Sequence, residues 1–140
     1  MITFTRGNIF DAQTDVILNP INAYGPMGPG LAKQFTDKLT ALERAYKAAG
    51  TKARADGFTM LGLPWIMCVD PAIPGGGPWN FVVCLPTKDH WPDRSQWVWI
   101  EDGFRRLGRE RGLFFTAHGK DLLVATPPLG VVWVACNGTR

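Results

Sequence analysis

The 140-residue chain has little cysteine, histidine or tyrosine: three Cys, two His and two Tyr. Cys68, Cys84 and Cys136 are scattered and lack any C-x-x-C spacing. That excludes a disulfide framework and argues against a zinc site. His90 and His118 lie far apart without a carboxylate cluster beside them, so no metal is expected. Long apolar runs are missing as well. Segments such as WNFVVCL are short and bounded by Gly or Pro, so no membrane span is expected. The opening MITFTRGNIFD lacks the basic and apolar regions of a secretory signal, which predicts an intracellular, cytoplasmic protein. Charge is modest: 15 Lys+Arg against 12 Asp+Glu give a net +3, which permits an anionic ligand without demanding one. What is present is apolar content. At 46% hydrophobic the chain is no disordered polymer, and its length fits one domain over 1–140.

Hydrophobic periodicity and Gly/Pro punctuation predict alternating strands and helices. A first strand is expected at Met1–Thr5. A buried strand follows at Asp15–Leu18, ending at Asn19-Pro20. Gly25–Gly30 reads as a turn. Leu31, Phe35, Leu39, Leu42 and Tyr46 recur at helical spacing, in a segment closed at Gly50 as C-cap. Strands are expected at Phe58–Val69 and Phe81–Leu85, with the loop DPAIPGGGP between them. Trp97–Glu110 reads as a helix with Ile100, Phe104 and Leu107 on one face, and Asp121–Ala125 as a strand stopped by Pro127-Pro128. Alternating strands and helices argue for an α/β domain with a largely parallel sheet covered on both faces. Ligands in such folds sit beyond the carboxyl ends of the strands. The segments NPINAYGPMGPGLA, PTKDHW and PPLG should therefore converge on one crevice.

Those segments carry usable chemistry. Gly25, Gly28 and Gly30 precede a helix, where exposed N–H groups and the helix dipole suit a phosphate. The pattern is neither a Walker A loop nor GxGxxG, and an ordinary turn is the alternative. Asn19 and Asn22 flank a buried strand end. They offer neutral donors and acceptors for ribose hydroxyls, or for their own turn. Lys88 directly follows Leu85-Pro86-Thr87, where desolvation would favour a nucleophilic amine; a surface lysine is the plain alternative. His90 and Trp91 stand ready to orient, stack or simply pack. Trp91, Trp97 and Trp99 lie near Lys88, Arg94, Arg105 and Arg106, an interleaving that suits single-stranded nucleic acid as well as plain packing.

The opening ITFTRGNIFDAQTDVILNPINAYGPMGPGLAKQF, then CLPTKDHW, then TPPLG, resemble the macrodomain family. Within it they are most similar to the DNA ADP-ribosyl glycohydrolase antitoxins, DarG. The resemblance covers Met1 to Gly130. It implies adenine contact at Asn8 and Ile9. The broader family has Asp at the Asn8 position, so a neutral amide there is expected to weaken adenine selection. The resemblance places Asn22 near the distal ribose and wraps Gly28, Gly30 and Leu31 around that ribose and the diphosphate. It makes Lys88 the catalytic residue, which in related glycohydrolases attacks the anomeric carbon. It also sets Asn19, Met27, Thr87, His90, Trp91, Leu129 and Gly130 along the substrate. Tyr24-Gly25-Pro26 departs from the commoner Cys-Val-Gly-Val stretch and is expected to alter loop rigidity.

After PPLG the family continues with a glycine-rich CGLGGLxW segment, its second phosphate loop, and then a last helix and strand. Here the chain reads PPLGVVWVACNGTR. The expected fold is thus a three-layer α/β/α macrodomain with a mixed central sheet, lacking that last helix and strand, with 131–140 an atypical tail. In the family the last strand lies between the first strand and the one at Leu122–Ala125. Each backbone group left unpaired costs about 1–3 kcal/mol. A marginal or oligomeric protein is therefore expected, in which Val131–Cys136 folds back or pairs with another chain.

Three functions fit this reading. The first is an enzyme that removes ADP-ribose from DNA bases by glycosidic hydrolysis, without metal or cofactor. Its substrate is ADP-ribosylated DNA in single-stranded form, and its implied partner is a cognate ADP-ribosyltransferase toxin. The second is a non-catalytic ADP-ribose-binding module, and the third an inactive remnant. One base deleted from codons for GCGLGGLQW yields GVVWVACNG, the run from Gly130 to Gly138. The coding DNA, read one base out of frame after Gly130, is therefore expected to encode a Gly-Gly-rich motif. Sequencing that finds none there removes this account of the tail.

Overall fold

The computed structural model describes residues 2–70, 72–90, 92–118 and 122–129, and the backbone alone for 110–118. Among these residues four strands form one sheet in the order β2-β3-β1-β4. β1 (Val16–Asn22) runs parallel to β3 (Phe81–Lys88) on one side and to β4 (Val124–Ala125) on the other. β2 (Trp65–Cys68) pairs antiparallel with β3, so the sheet is mixed. β1 and β3 are buried almost end to end. Their near-continuous apolar runs suit central strands with both faces covered.

Strand alternation sorts the side chains into two cores. Ile17, Ile21, Val82 and Cys84 join Phe35 of α1 (Leu31–Lys38) and Leu42 and Tyr46 of α2 (Leu42–Ala55). Val16, Leu18, Phe81, Val83 and Leu85 form the opposite core, against Leu107 of α3 (Trp97–His118). Helices on both faces make three layers. α3 approaches β3 closely because Gly103 has no Cβ: one added there would lie 2.2 Å from Leu85 Cδ1. At the entry ends of the strands Asp15 ties three segments together. Its carbonyl accepts from Asn80 N (2.9 Å) and Phe81 N (3.1 Å), and its carboxylate accepts from Leu123 N (2.9 Å). The 3₁₀ turn Ile9–Asp11 is pinned through Phe10, whose carbonyl accepts from Trp79 Nε1 at 3.0 Å and whose ring meets Phe35 edge-on at 4.7 Å.

Several boundaries differ from the expectation. Residues 2–5 form no strand, and Ile2 and Phe4 are 85% and 94% exposed. An alternating segment is a strand only where a sheet edge pairs with it, and among the described residues none does. β1 does not stop at Asn19-Pro20 but runs through to Asn22. β4 reaches only Val16 and Ile17, so among the described residues Pro20 has a strand neighbour on one side alone, where proline is tolerated. The segment from Leu31 is two helices, broken at Leu39–Ala41. Gly50 is no cap. It lies inside α2, where its missing side chain admits the Ala23 carbonyl. The helix ends instead at Ala55 and is closed by Gly57 (φ +82°), where Gly57 N reaches Arg54 O and Phe58 N reaches Ala53 O, a Schellman pattern. Of Phe58–Val69 only Trp65–Cys68 is strand, since the first half is two turns around Gly57 and Gly62. β3 extends to Lys88, α3 runs on to His118, and the last strand shrinks to two residues. The expectations for Val131–Cys136 and the rest of the tail lie outside the described residues.

Gly75 tests this packing. It has φ +84°, and a Cβ there would stand 1.9 Å from the Lys38 carbonyl oxygen at the end of α1. Gly75→Ala should lower unfolding free energy by about 2–3 kcal/mol in urea titrations. Gly108→Ala, in an exposed helical position open to solvent, should be neutral or stabilising by about 0.5–1 kcal/mol. Equal effects of the two would contradict the close approach at Gly75.

Candidate active site

The parallel pairing of β1 and β3 brings two of the expected residues together. The register runs Ile21↔Pro86 and then shifts by one residue to Asn22↔Lys88. Beyond it, Ala23 N donates to both the Lys88 (2.9 Å) and Asp89 (3.0 Å) carbonyls, clamping the two strand exits. Lys88 is half-buried at the end of β3. Thr87 before it is buried; its hydroxyl lies 2.8 Å from Ser95 Oγ, and its carbonyl accepts from Gln96 N, which fastens the start of α3.

Asn22 organises the loop that follows. Its Oδ1 accepts from Tyr24 N (2.9 Å) and Gly25 N (2.8 Å), and its Nδ2 donates to the Pro26 carbonyl (2.7 Å). The Asn22 carbonyl accepts from the Tyr46 hydroxyl at 3.0 Å. Gly25 has φ +105°, and a Cβ there would press on Lys47. The next turn is anchored from below by Met27. That buried side chain receives the Thr36 hydroxyl at 2.9 Å and the Asn19 Nδ2 at 3.9 Å, while its N–H points to Glu43 Oε1 at 3.4 Å. Glu43 in turn binds Lys47 at 2.7 Å, and that bond leads the influences holding its carboxyl below the usual range. Asn19 lies directly across the sheet from Cys84 and donates to its sulfur at 3.8 Å. The Asn19 Oδ1, fully buried, has no hydrogen-bond partner among the described residues.

Gly28 and Gly30 face open space, and Gly30 takes φ +94° as it leads into α1. The first turn of α1 has no side-chain cap and no acidic residue. Its free N–H groups and the loop above it form a surface suited to an anion. Leu31 and Ile9 are half-buried against the larger core. Asn8 is exposed and caps the 3₁₀ turn by accepting from Phe10 N at 3.0 Å, and the Phe10 ring in turn meets Phe35 of α1. Leu129 follows β4 and packs against the opposite core. Trp91 and Gly130 lie outside the described residues.

One grouping was not legible in the sequence. The Tyr24 ring stacks on His90 at 4.2 Å and 12°, and the Arg54 guanidinium lies over the Tyr24 ring at 4.5 Å. Arg54 comes from the end of α2, and nothing in its local sequence points to the site. Among the described residues no three His, Cys, Asp or Glu side chains stand close enough to hold a metal ion, and no helix is long and apolar enough to cross a membrane.

No protein-family model matches the chain. It is 32% identical to a DNA ADP-ribosyl glycohydrolase of Mycobacterium tuberculosis over 131 residues, which is 94% of this chain and 34% of that protein. It is 31% identical to a DNA ADP-ribosyl glycohydrolase of Thermus aquaticus over 107 residues, 76% of this chain and 28% of that one. The chain thus spans about a third of the length of these curated relatives. Among solved structures, the macrodomain of Mycobacterium tuberculosis DarG superposes with TM-score 0.74 at 28% identity, covering 94% of this chain and 78% of the other. Thermosipho africanus DarTG in complex with ADP-ribose superposes at 0.70 and 22% identity, covering 89% and 32%.

The buried acids beneath the loop make stability sensitive to alkali. Burial pushes the Cys84 thiol up to about 12, outweighing the Asn19 hydrogen bond, and burial likewise raises the Tyr46 hydroxyl. The unfolded chain releases the thiol proton near its ordinary value of 9.0, while the folded chain keeps it. Between those values the folded state binds more protons, so stability falls as pH rises. Urea midpoints should hold steady below about pH 9 and decline above it. Cys84→Ala, whatever its own cost, should flatten the first part of that decline. A midpoint independent of pH from 8 to 11 would contradict this assignment.

Proposed function

This chain is a DarG-like macrodomain, and from that premise we propose that it binds ADP-ribose along the loop from Asn22 to Gly30 and cleaves it from DNA bases. Lys88 is the catalytic residue. The observation that carries the reading is the pairing of Asn22 with Lys88 at the shared exit of two parallel strands, beside a glycine loop and an uncapped helix start. The loop N–H groups and the first turn of α1 take the diphosphate. Asn22, with its carbonyl fixed by Tyr46 and its side chain fixed by the loop, shapes the wall beside the distal ribose. Gly28, Gly30 and Leu31 close over that ribose, Asn8 and Ile9 meet the adenine, and Asn19 and Met27 hold the loop from beneath.

In the reaction the Lys88 Nζ lone pair bonds to the anomeric carbon of the ADP-ribose while the bond from that carbon to the DNA base breaks; its electrons pass to the base, which takes up the proton that Nζ sheds. Water then releases ADP-ribose and restores the amine. No cofactor enters. Single-stranded DNA as carrier, a cytoplasmic setting, a part in DNA repair and a cognate ADP-ribosyltransferase toxin as partner follow from the same premise. The DNA carrier and the toxin partner are supported by the relatives' being DNA ADP-ribosyl glycohydrolases and by the likeness to a DarTG structure.

Calorimetric titration with ADP-ribose should give micromolar binding, about −8 kcal/mol. Lys88→Ala should keep that affinity within about threefold. The same variant should slow release of ADP-ribose from an ADP-ribosylated oligonucleotide by about 10³-fold, a loss of about 4 kcal/mol of transition-state stabilisation. Binding without release by the wild type would make the chain a reader of ADP-ribose. Absence of binding would end the proposal.

A further inference from the structure

The stacked column of Arg54, Tyr24 and His90 is not used by the chemistry above, yet it is built into the site. Ala23 places it. The Ala23 N–H is shared by the Lys88 and Asp89 carbonyls, and its carbonyl accepts from Arg54 Nη1 at 3.4 Å. Tyr24 follows Ala23 directly and His90 follows Asp89 directly, so one backbone clamp sets both rings face to face within two residues of Lys88. Further bonds hold each member. Tyr24 N donates to Asn22 Oδ1 at 2.9 Å, His90 N to Asp93 Oδ2 at 2.9 Å, and Arg54 Nη2 to Thr51 Oγ1 at 3.4 Å.

The column has a closed end and an open end. Arg54 closes one face of Tyr24, and Tyr24 covers one face of His90. The His90 side chain is nevertheless 55% exposed, so its accessible surface lies away from Tyr24. A planar side chain backed by a second ring and a guanidinium, with its outer face in water, is a stacking platform.

We propose that the outer face of His90 stacks a nucleobase of single-stranded DNA and so holds the strand against the reactive amine. This rests on the reading of the chain as a DNA ADP-ribosyl glycohydrolase and adds the element that grips the carrier. His90 acts here as a ring and not as an acid or base. Its replacement by another planar ring should therefore preserve function.

The test uses fluorescence anisotropy with a labelled single-stranded oligonucleotide containing all four bases, in saturating ADP-ribose. An abasic strand of equal length is the control. His90→Ala should weaken binding of the base-containing strand about tenfold, and His90→Phe should keep it within about twofold. The abasic strand should bind all three proteins alike. The proposal is overturned if the wild type does not bind the base-containing strand, if His90→Ala binds it as the wild type does, or if His90→Phe is as weak as His90→Ala. Release of ADP-ribose from a modified strand is measured separately. Ring-dependent strand binding without release would keep the platform and remove Lys88 as catalyst.

Discussion

The hydrogen-bonded seam between β1 and β3 sets everything at the carboxyl end of this sheet. In a strand pair a one-residue slip turns every side chain to the other face. Here both cores are sorted by that alternation, with Ile17 and Val82 on one side and Val16 and Val83 on the other. The seam then departs from regularity at one place, where β3 has Thr87 as an extra residue between the partners of Ile21 and Asn22. Bulges re-aim side chains at functional sites. This one sets Lys88, and not Thr87, opposite Asn22, and leaves Thr87 buried against Ser95. The double acceptance of Ala23 N by Lys88 and Asp89 then locks the irregularity in place.

The loop beyond that seam is held by its underside. Met27 is the anchor, with a hydroxyl, an amide and a carboxylate converging on one residue. Its thioether, a soft and weak acceptor, lets the anchor sit among apolar neighbours without a strong polar demand. Asn19 bears the cost. Among the described residues its amide nitrogen has only two sulfurs as acceptors, and its oxygen has no partner. A buried unsatisfied group costs about 1–3 kcal/mol and persists only where its surroundings fix it. β1, paired at Asn19 with Cys84 and packed under α1, supplies that constraint.

Local pattern made the central strands, the glycine turn and the starts of α1 and α3 legible. β1 and β3 are apolar on both faces, and such runs have few alternatives. What failed was set by distant partners. The period from Leu31 to Tyr46 persists across the break at Leu39–Ala41 because both helices use it to cover the same face. Gly50 carried a cap signal, but a close approach to the Ala23 carbonyl demanded the same residue. Met1–Thr5 has the alternation of a strand without, among the described residues, an edge to pair with. In the candidate site, Asn22 and Lys88 were visible because they end buried strands, and the glycines because they punctuate the loop before α1. Arg54 was not, since it arrives from the far end of α2 to cover Tyr24.

Two prolines explain why the site opens where it does. Pro20 lies across from Leu85, and Pro86 across from Ile21, one step before the bulge. Each removes a backbone donor from its strand. The ladder is thereby thinned at the point where the chains must part to admit a loop. The carbonyl left on Pro86 is taken by Gly62 N at 2.9 Å, from the turn that precedes β2. β3 is thus gripped from one side just before Lys88 and from the other, through Ala23, at Lys88 itself. Lys88 sits between two fixed points on a strand whose own regular pairing has just ended. Rigidity is thus supplied by the backbone on both sides of Lys88.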